Sequence, residues 1–116
     1  MTAPARKIFG RRKGKRLRAR QEALLACLLP RIAPQGVTPA DNPDRTPIEL
    51  RALFGRDAPV WLEIGFGAGE HMLGLAARHP EIGLLGAESF VNGVASCLSH
   101  LQDAGLSNVR IHFGDA

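Results

Sequence analysis

Three short apolar runs alternate with two amphipathic stretches in the second half of the chain. The apolar runs cover residues 60–64, 82–87 and 108–113, and the stretches between them cover 70–78 and 92–104. In the second stretch the apolar residues recur at i, i+3, i+4 and i+7, as in a helix with one buried face: Val94, Cys97, Leu98 and Leu101. The pattern predicts β-α-β-α-β, the first half of a Rossmann-like, doubly wound α/β sheet. The usual topology of such sheets implies the strand order 3-2-1.

The first half of the chain has weaker patterning and more residues that interrupt regular structure. Residues 18–29 contain good helix formers and precede Pro30, so we expect a short helix that ends there. Residues 32–45 are predicted to form a linker because they contain four helix breakers: Pro34, Gly36, Pro39 and Pro43.

Capping residues predict where two other helices begin and end. Thr46 is placed as an N-cap, with Pro47 at the first helical position and Glu49 three residues after the cap, so we expect a helix over 47–54. Gly105 follows the last predicted helix and suits the left-handed position that ends many helices.

Positive charge is concentrated at the N-terminus. Nine basic residues and no acidic ones lie within residues 1–20, whereas the rest of the chain carries six basic side chains against all eleven acidic ones. Residues 1–17 have no hydrophobic period, and we expect them to be disordered when unbound. A basic tail on an acidic domain favours a polyanionic partner, and the tail residues predicted to contact it are Arg11, Arg12, Lys13, Lys15 and Arg16.

These observations divide the chain into three parts. Residues 1–17 form the basic tail, 18–58 contain helices and the proline-rich linker, and 59–116 form the α/β half-domain. Trp61, Phe66 and the aliphatic strand residues are expected to form its core.

Other classes of protein are disfavoured by what the sequence lacks. No apolar run approaches the roughly 20 residues of a membrane span. Only four apolar residues precede Cys27, too few for a secretory signal, and the tail has no serine, unlike most mitochondrial presequences. We expect a cytoplasmic protein in which Cys27 and Cys97 are reduced. Neither the cysteines nor the four histidines have the spacing of metal ligands.

A glycine-rich segment joins the first predicted strand to the helix that follows. Gly65, Gly67 and Gly69 alternate with Phe66 and Ala68. Glycines in such a turn let a ligand approach the main chain, and the helix start offers N–H groups that are not yet hydrogen-bonded. A dinucleotide site would have G-x-G-x-x-G, but Glu70 occupies the position of that third glycine.

Acidic residues follow the three predicted strands and change the expected ligand. Glu63 lies next to the end of the first strand, Glu88 follows the second and Asp115 follows the third. Ligands of open α/β sheets bind at these carboxyl ends. Glu63 and Glu70 would repel a pyrophosphate but suit the sulfonium cation of S-adenosyl-L-methionine, while Glu88 can accept from ribose hydroxyls and Asp115 from the adenine amino group. A nicotinamide-binding half-domain is the disfavoured alternative.

Three segments together resemble the bacterial tRNA (guanine-N7)-methyltransferase family. They are Ala52-Leu53-Phe54-Gly55-Arg56-Asp57-Ala58-Pro59, Leu62-Glu63-Ile64-Gly65-Phe66-Gly67 and Gly105-Leu106-Ser107-Asn108-Val109-Arg110, and the likeness covers about residues 48–116. The tail segment Gly10-Arg11-Arg12-Lys13-Gly14-Lys15 also resembles some members. Two positions depart from the family: Gly86-Ala87-Glu88 replaces Gly-Ile-Glu, and Ser89-Phe90-Val91-Asn92 differs from the commoner members.

The resemblance implies an activity and a set of site residues. It implies that Glu63, Glu88 and Asp115 contact S-adenosyl-L-methionine, and that the substrate is a guanine in the variable loop of tRNA, methylated at N7. The family's catalytic aspartate lies in a Phe-Pro-Asp-Pro-Trp segment, expected beyond Ala116, so we expect an N-terminal fragment that is inactive alone. A non-catalytic module that binds cofactor and RNA is the alternative from another class.

Overall fold

The centre of the fold is a three-stranded parallel sheet. The structure, a computed structural model, describes residues 14–116 and places the strands in the order β1 (Val60–Ile64), β2 (Gly83–Glu88), β3 (Val109–Phe113). This confirms the predicted 3-2-1 order and the mixed α/β class. Leu85 of β2 lies opposite Leu62 of β1 on one side and Arg110 of β3 on the other. The carboxyl ends of all three strands therefore meet at one edge of the sheet.

Five helices surround this sheet in the described part of the chain: α1 (Ala19–Cys27), α2 (Leu29–Ile32), α3 (Leu50–Phe54), α4 (Glu70–Arg78) and α5 (Val91–Ala104). Gly105 adopts φ 65° after α5, and its N–H donates to the main-chain oxygens of Leu101 and Gln102. The predicted end of this helix is confirmed. None of the helices in residues 14–116 is long and apolar enough to cross a membrane.

Two predicted helix boundaries in the first half of the chain are wrong. Thr46 does not cap α3, because its main chain is held in a turn by Asn42, which donates to the Thr46 oxygen and accepts from the Thr46 N–H. Helix α3 begins only at Leu50, with Glu49 as its N-cap. Pro30 does not end helical structure either: α1 ends at Cys27, and Pro30 lies in the first turn of α2, where proline is tolerated.

Helices α4 and α5 pack on one face of the sheet and bury most of the core. Phe66 belongs to this cluster, as predicted, together with fully buried side chains from each layer: Met72, Leu84, Val94, Leu98 and Ile111. Asn108 is buried beneath α4, where its side-chain amide donates to the main-chain oxygens of Ala76, His79 and Ile82. The end of α4 and the starts of β2 and β3 are thereby joined.

The prediction that the β1 side chains are core is wrong for three residues. Trp61 is 42% exposed, Leu62 61% and Ile64 64%. Strand β1 lies at an edge of the described sheet, so Trp61 has neighbours on one side only and packs obliquely against His79, with ring centroids 5.1 Å apart. Leu62 and Ile64 point to the face opposite α4 and α5, because side chains alternate along a strand.

The N-terminal helix packs on the outer side of α5. Arg20 of α1 forms an exposed ion pair with Asp103 of α5 at 2.7 Å. On the other face of the sheet, the Arg110 guanidinium donates to the main-chain oxygen of Leu53 and lies 5.1 Å from the centre of the Phe54 ring, which fastens α3 to β3. The division of the chain at residues 17 and 58 stays a prediction.

Candidate functional site

The glycine loop after β1 has a left-handed main chain at every second residue. Gly65, Gly67 and Gly69 have φ angles of 75°, 62° and 82°, a region that other residues enter only with strain. A Cβ atom on Gly65 or Gly67 would meet nothing within 4 Å, whereas one on Gly69 would collide with the Cys97 sulfur. The main chain at Gly65 and Gly67 is therefore open to a ligand, and Gly69 is required for packing against α5.

Glu88 connects this loop to the start of α5. Its Oε1 accepts from the Gly67 N–H at 2.7 Å, and its Oε2 accepts from the N–H groups of Ser89 at 2.9 Å and Phe90 at 3.1 Å. A carboxylate has about four acceptor positions, so Oε1 retains capacity for one more donor. The sequence placed Glu88 beside the loop, but the three main-chain hydrogen bonds were not foreseen.

Gly93 in the first turn of α5 was missed in the sequence analysis. A Cβ atom there would lie 2.5 Å from the main-chain oxygen of Gly67, so only glycine lets α5 approach the loop so closely. The signal was present in the sequence, because a glycine inside a helical pattern often has a packing reason.

Glu63 occupies the penultimate position of β1, before the loop. Its Oε1 lies 3.7 Å from Nδ1 of His71 in the first turn of α4, an ion pair only when the imidazole is protonated. The Glu63 side chain is 31% exposed and that of His71 is 75% exposed. His71 is thus a neighbour of the loop, with a carboxylate partner that sequence spacing does not show.

Asp115 lies just past the end of β3 and close to the end of β2. The N–H of Gly114 donates to the main-chain oxygen of Glu88 at 2.9 Å. His112 Nε2 lies 2.9 Å from the main-chain oxygen of Asp115, which can only accept. The exposed Asp115 and the half-buried Glu88 are therefore held at the same edge of the sheet.

Two of the five predicted basic contacts lie within the described residues. Lys15 and Arg16 are exposed and lie along α5, while Arg11, Arg12 and Lys13 lie outside the described residues. Asn92 in the first turn of α5 accepts from the Gly14 N–H and donates to the Lys15 oxygen, both at 2.6 Å. No sequence signal predicts this contact, because its partners are 77 and 78 positions apart.

The arrangement suits a cofactor that is cationic and carries hydroxyl groups. Open glycine main chain, the Glu63 carboxylate and the spare acceptor capacity of Glu88 meet at the carboxyl edge of the sheet. Within residues 14–116 there is no group of three or more metal-ligating side chains. Fold and site together define the class: a Rossmann-like α/β domain with a glycine loop and acidic side chains at the strand ends, where the ligands of such sheets bind.

Comparison with known proteins identifies the family within that class. A family model described as a putative methyltransferase matches residues 57–116. This region contains the whole sheet, the glycine loop and all three acids, and it is more than half of the chain. The chain belongs to this methyltransferase family, which implies a methyl donor as cofactor.

Curated relatives match over nearly the whole chain. A tRNA (guanine-N(7)-)-methyltransferase from Paracoccus denitrificans (strain Pd 1222) is 50% identical over 97% of this chain and 48% of its own length. One from Cereibacter sphaeroides is 54% identical over 95% of the chain and 45% of its own length, and one from Caulobacter sp. (strain K31) is 48% identical over 93% and 44%. The chain thus spans about half the length of the curated relatives it matches.

Proposed function

We propose that this chain forms the S-adenosyl-L-methionine-binding half of an enzyme that methylates guanine N7 in the variable loop of tRNA. The observation that carries the proposal is the Glu88 carboxylate, which holds the open glycine loop against α5 and keeps an acceptor position for a ribose hydroxyl. The tRNA substrate is proposed from the names of the relatives. With tRNA as substrate, the proposed location is the cytoplasm.

The charges at the strand ends support this cofactor over a dinucleotide. Glu63 and the exposed Glu70 flank the glycine loop. Two carboxylates would oppose a pyrophosphate, whereas they favour a positively charged sulfonium group. Asp115 is proposed to accept from the adenine amino group.

The chain's own residues are proposed to bind and orient, with no proton transfer assigned to them. When bound, S-adenosyl-L-methionine supplies a methyl group on a sulfonium leaving group. Guanine N7 is already nucleophilic, so the acceleration comes chiefly from alignment of the reacting atoms. None of residues 1–116 is proposed as catalytic.

A chimera tests the proposal. Residues 1–116 would replace the matching segment of the Paracoccus denitrificans relative, and methyl transfer to unmodified tRNA would be measured alongside the same chimera with Glu88→Gln. We expect transfer in the first protein and at least a tenfold loss in the second. Calorimetry with S-adenosyl-L-methionine and with NAD separates the cofactors: tighter NAD binding would overturn the proposal, while cofactor binding without transfer would favour a non-catalytic module.

A further inference from the structure

A groove between the N-terminal segment and the outer side of α5 has a distinct composition. It has a volume of about 350 Å³, and we name it the basic groove after the side chains that give it its character: Lys15, Arg16, Arg18, Ser96, Ser99 and His100. Among the described residues that line it, none is acidic. The groove therefore presents positive charge and hydroxyl groups together.

The positive charge of the groove is not cancelled within the described structure. Lys15, Arg16 and Arg18 are exposed, and none of them forms an ion pair with another residue of 14–116. The neighbouring Arg20 differs, because it is paired with Asp103, and its hydrogen bond lowers the pKa of that carboxyl group. Three cations thus remain available to an anionic partner.

The main chain that carries these cations is held in place by hydrogen bonds. The Asn92 side chain accepts from the Gly14 N–H and donates to the Lys15 oxygen, both at 2.6 Å. Gly14 also lies close to Phe90, because a Cβ atom on Gly14 would be 3.0 Å from the Phe90 ring. The Arg18 N–H donates to Gln21 Oε1 at 3.1 Å, which starts α1. Residues 14–18 are therefore held along α5 by hydrogen bonds to the folded part of the chain.

The helix side of the groove has a regular spacing. Asn92, Ser96, Ser99 and His100 fall at i, i+4, i+7 and i+8 on one face of α5 and span about 12 Å of helix. Protein contacts to nucleic-acid phosphates commonly combine Arg or Lys with hydroxyl and amide donors. A track of this length and chemistry suits consecutive phosphates of one strand.

We propose that the basic groove binds the phosphate backbone of the RNA substrate and leads it to the cofactor edge of the sheet. The choice of RNA rests on the proposed function. The groove begins at Asn92, two residues after Phe90, whose N–H is held by Glu88. RNA bound along α5 therefore reaches the helix start that Glu88 holds at the end of β2.

The first test measures how affinity depends on salt. Binding of a fluorescent tRNA transcript to the 116-residue chain would be followed by anisotropy between about 50 and 200 mM salt. Each phosphate contact removed should lower the log–log slope by about 0.7–0.9, so Arg16→Gln with Arg18→Gln should lower it by about 1.4–1.8. The matched control, Arg51→Gln with Arg78→Gln, removes the same charge from exposed sites on α3 and α4 and should leave the slope unchanged. Equal slopes in the two double variants would overturn the proposal.

The second test uses variants that change no charge. Ser96→Ala with Ser99→Ala removes two donors, and Asn92→Ala releases the segment from α5; each should weaken tRNA binding about three- to tenfold. Ser107→Ala, an exposed serine outside the groove, should have no effect. Unchanged affinity in both groove variants would mean that the N-terminal charges act as an unstructured polycation, and the groove would be rejected.

Two further measurements separate this proposal from others. Calorimetry should show that Ser96→Ala with Ser99→Ala binds S-adenosyl-L-methionine as tightly as the unchanged protein does. A loss of RNA binding in this variant is then distinct from a loss of the cofactor site. If no cofactor binds but tRNA affinity still depends on Ser96 and Ser99, the proposed function fails and the groove stands. Tighter binding to vesicles of phosphatidylserine and phosphatidylcholine than to tRNA would overturn the assignment to RNA.

Discussion

The Glu88 carboxylate and the Gly67 N–H form a 2.7 Å hydrogen bond that joins the end of β2 to the glycine loop. The same carboxylate accepts from Ser89 and Phe90, so loop and helix start share one anionic acceptor. Hydrogen bonds to a charged acceptor contribute more than neutral ones. Glu88 thus fixes the loop against the start of α5.

Glu88→Gln should therefore affect both stability and cofactor binding. Replacing one carboxylate oxygen by an NH2 group sets a donor against a main-chain N–H, and we expect the free energy of unfolding to fall by about 1–3 kcal/mol. Affinity for S-adenosyl-L-methionine should fall tenfold or more. Urea unfolding and calorimetry measure the two effects. Glu81→Gln, at an exposed carboxylate that contacts His79, is the control; equal behaviour of the two variants would refute the role of Glu88.

Two helix glycines offer a matched pair for testing the contact between α5 and the loop. Gly93→Ala should lower the free energy of unfolding by about 1–3 kcal/mol, because its methyl group would press on the Gly67 main chain. Gly74→Ala should raise that free energy by up to about 1 kcal/mol, because its Cβ would meet only the end of the Arg78 side chain, at 3.4 Å. Urea unfolding measures both free energies. A Gly93→Ala variant as stable as Gly74→Ala would contradict the close contact between Gly93 and the Gly67 main chain.

The two cysteines should react with thiol reagents at very different rates. Cys27 is exposed, whereas burial raises the pKa of Cys97 to about 12. At pH 8 we expect rapid labelling of Cys27 and labelling of Cys97 only after urea unfolds the chain. Mass spectrometry of labelled peptides reads this directly. Rapid labelling of both cysteines in the folded protein would show that α5 does not pack as described.

The same thiol should make stability depend on pH in alkaline solution. Because the folded state holds the Cys97 proton more tightly than the unfolded state, the free energy of unfolding should fall as pH rises from about 9 towards 12, by at most about 1.4 kcal/mol per pH unit. The chain has no tyrosine to titrate in this range. In Cys97→Ala the free energy of unfolding should lack this part of its pH dependence. If that free energy falls equally with pH in both proteins, Cys97 is not its cause.

The exposed apolar side chains of β1 should promote self-association. An edge strand with unpaired N–H and C=O groups is a template for pairing with other chains. We expect the 116-residue chain to associate at micromolar concentration, and Ile64→Lys to reduce this association. Ala77→Lys adds the same charge at an exposed site on α4 and should have little effect. Sedimentation velocity checks the prediction, and a chain that stays monomeric at this concentration would contradict it.

The parts of this fold that sequence patterns predicted are those determined by near neighbours. The spacing of Val94, Leu98 and Leu101 specified α5, and the glycine loop followed from its position between a strand and a helix. The N-cap assigned to Thr46 failed because Asn42 captures both polar groups of its main chain. Local sequence rules distinguish a turn from a helix start poorly when the two structures use the same polar residues.

The positions of the candidate site residues were predicted from the sequence, but the contacts between them were not. Glu63, Glu88 and Asp115 lie at the strand ends where the sequence placed them, since parallel strands bring their carboxyl ends together. Three contacts depend instead on tertiary structure. They are the hydrogen bonds of Glu88, the approach of Gly93 to Gly67 and the hydrogen bonds of Asn92 to residues 14 and 15. No periodicity within the chain encodes these contacts.

The packing of α1 on α5 has a consequence for the order of folding. Strands β1 to β3 pair in sequence order through short connections, whereas the Arg20–Asp103 contact closes a loop of more than eighty residues. Closing so long a loop costs more chain entropy than pairing neighbouring strands, so α1 should dock last. A nascent chain therefore carries its cations undocked until α5 has been synthesised, and it acquires a shaped RNA surface only when its sheet is already formed.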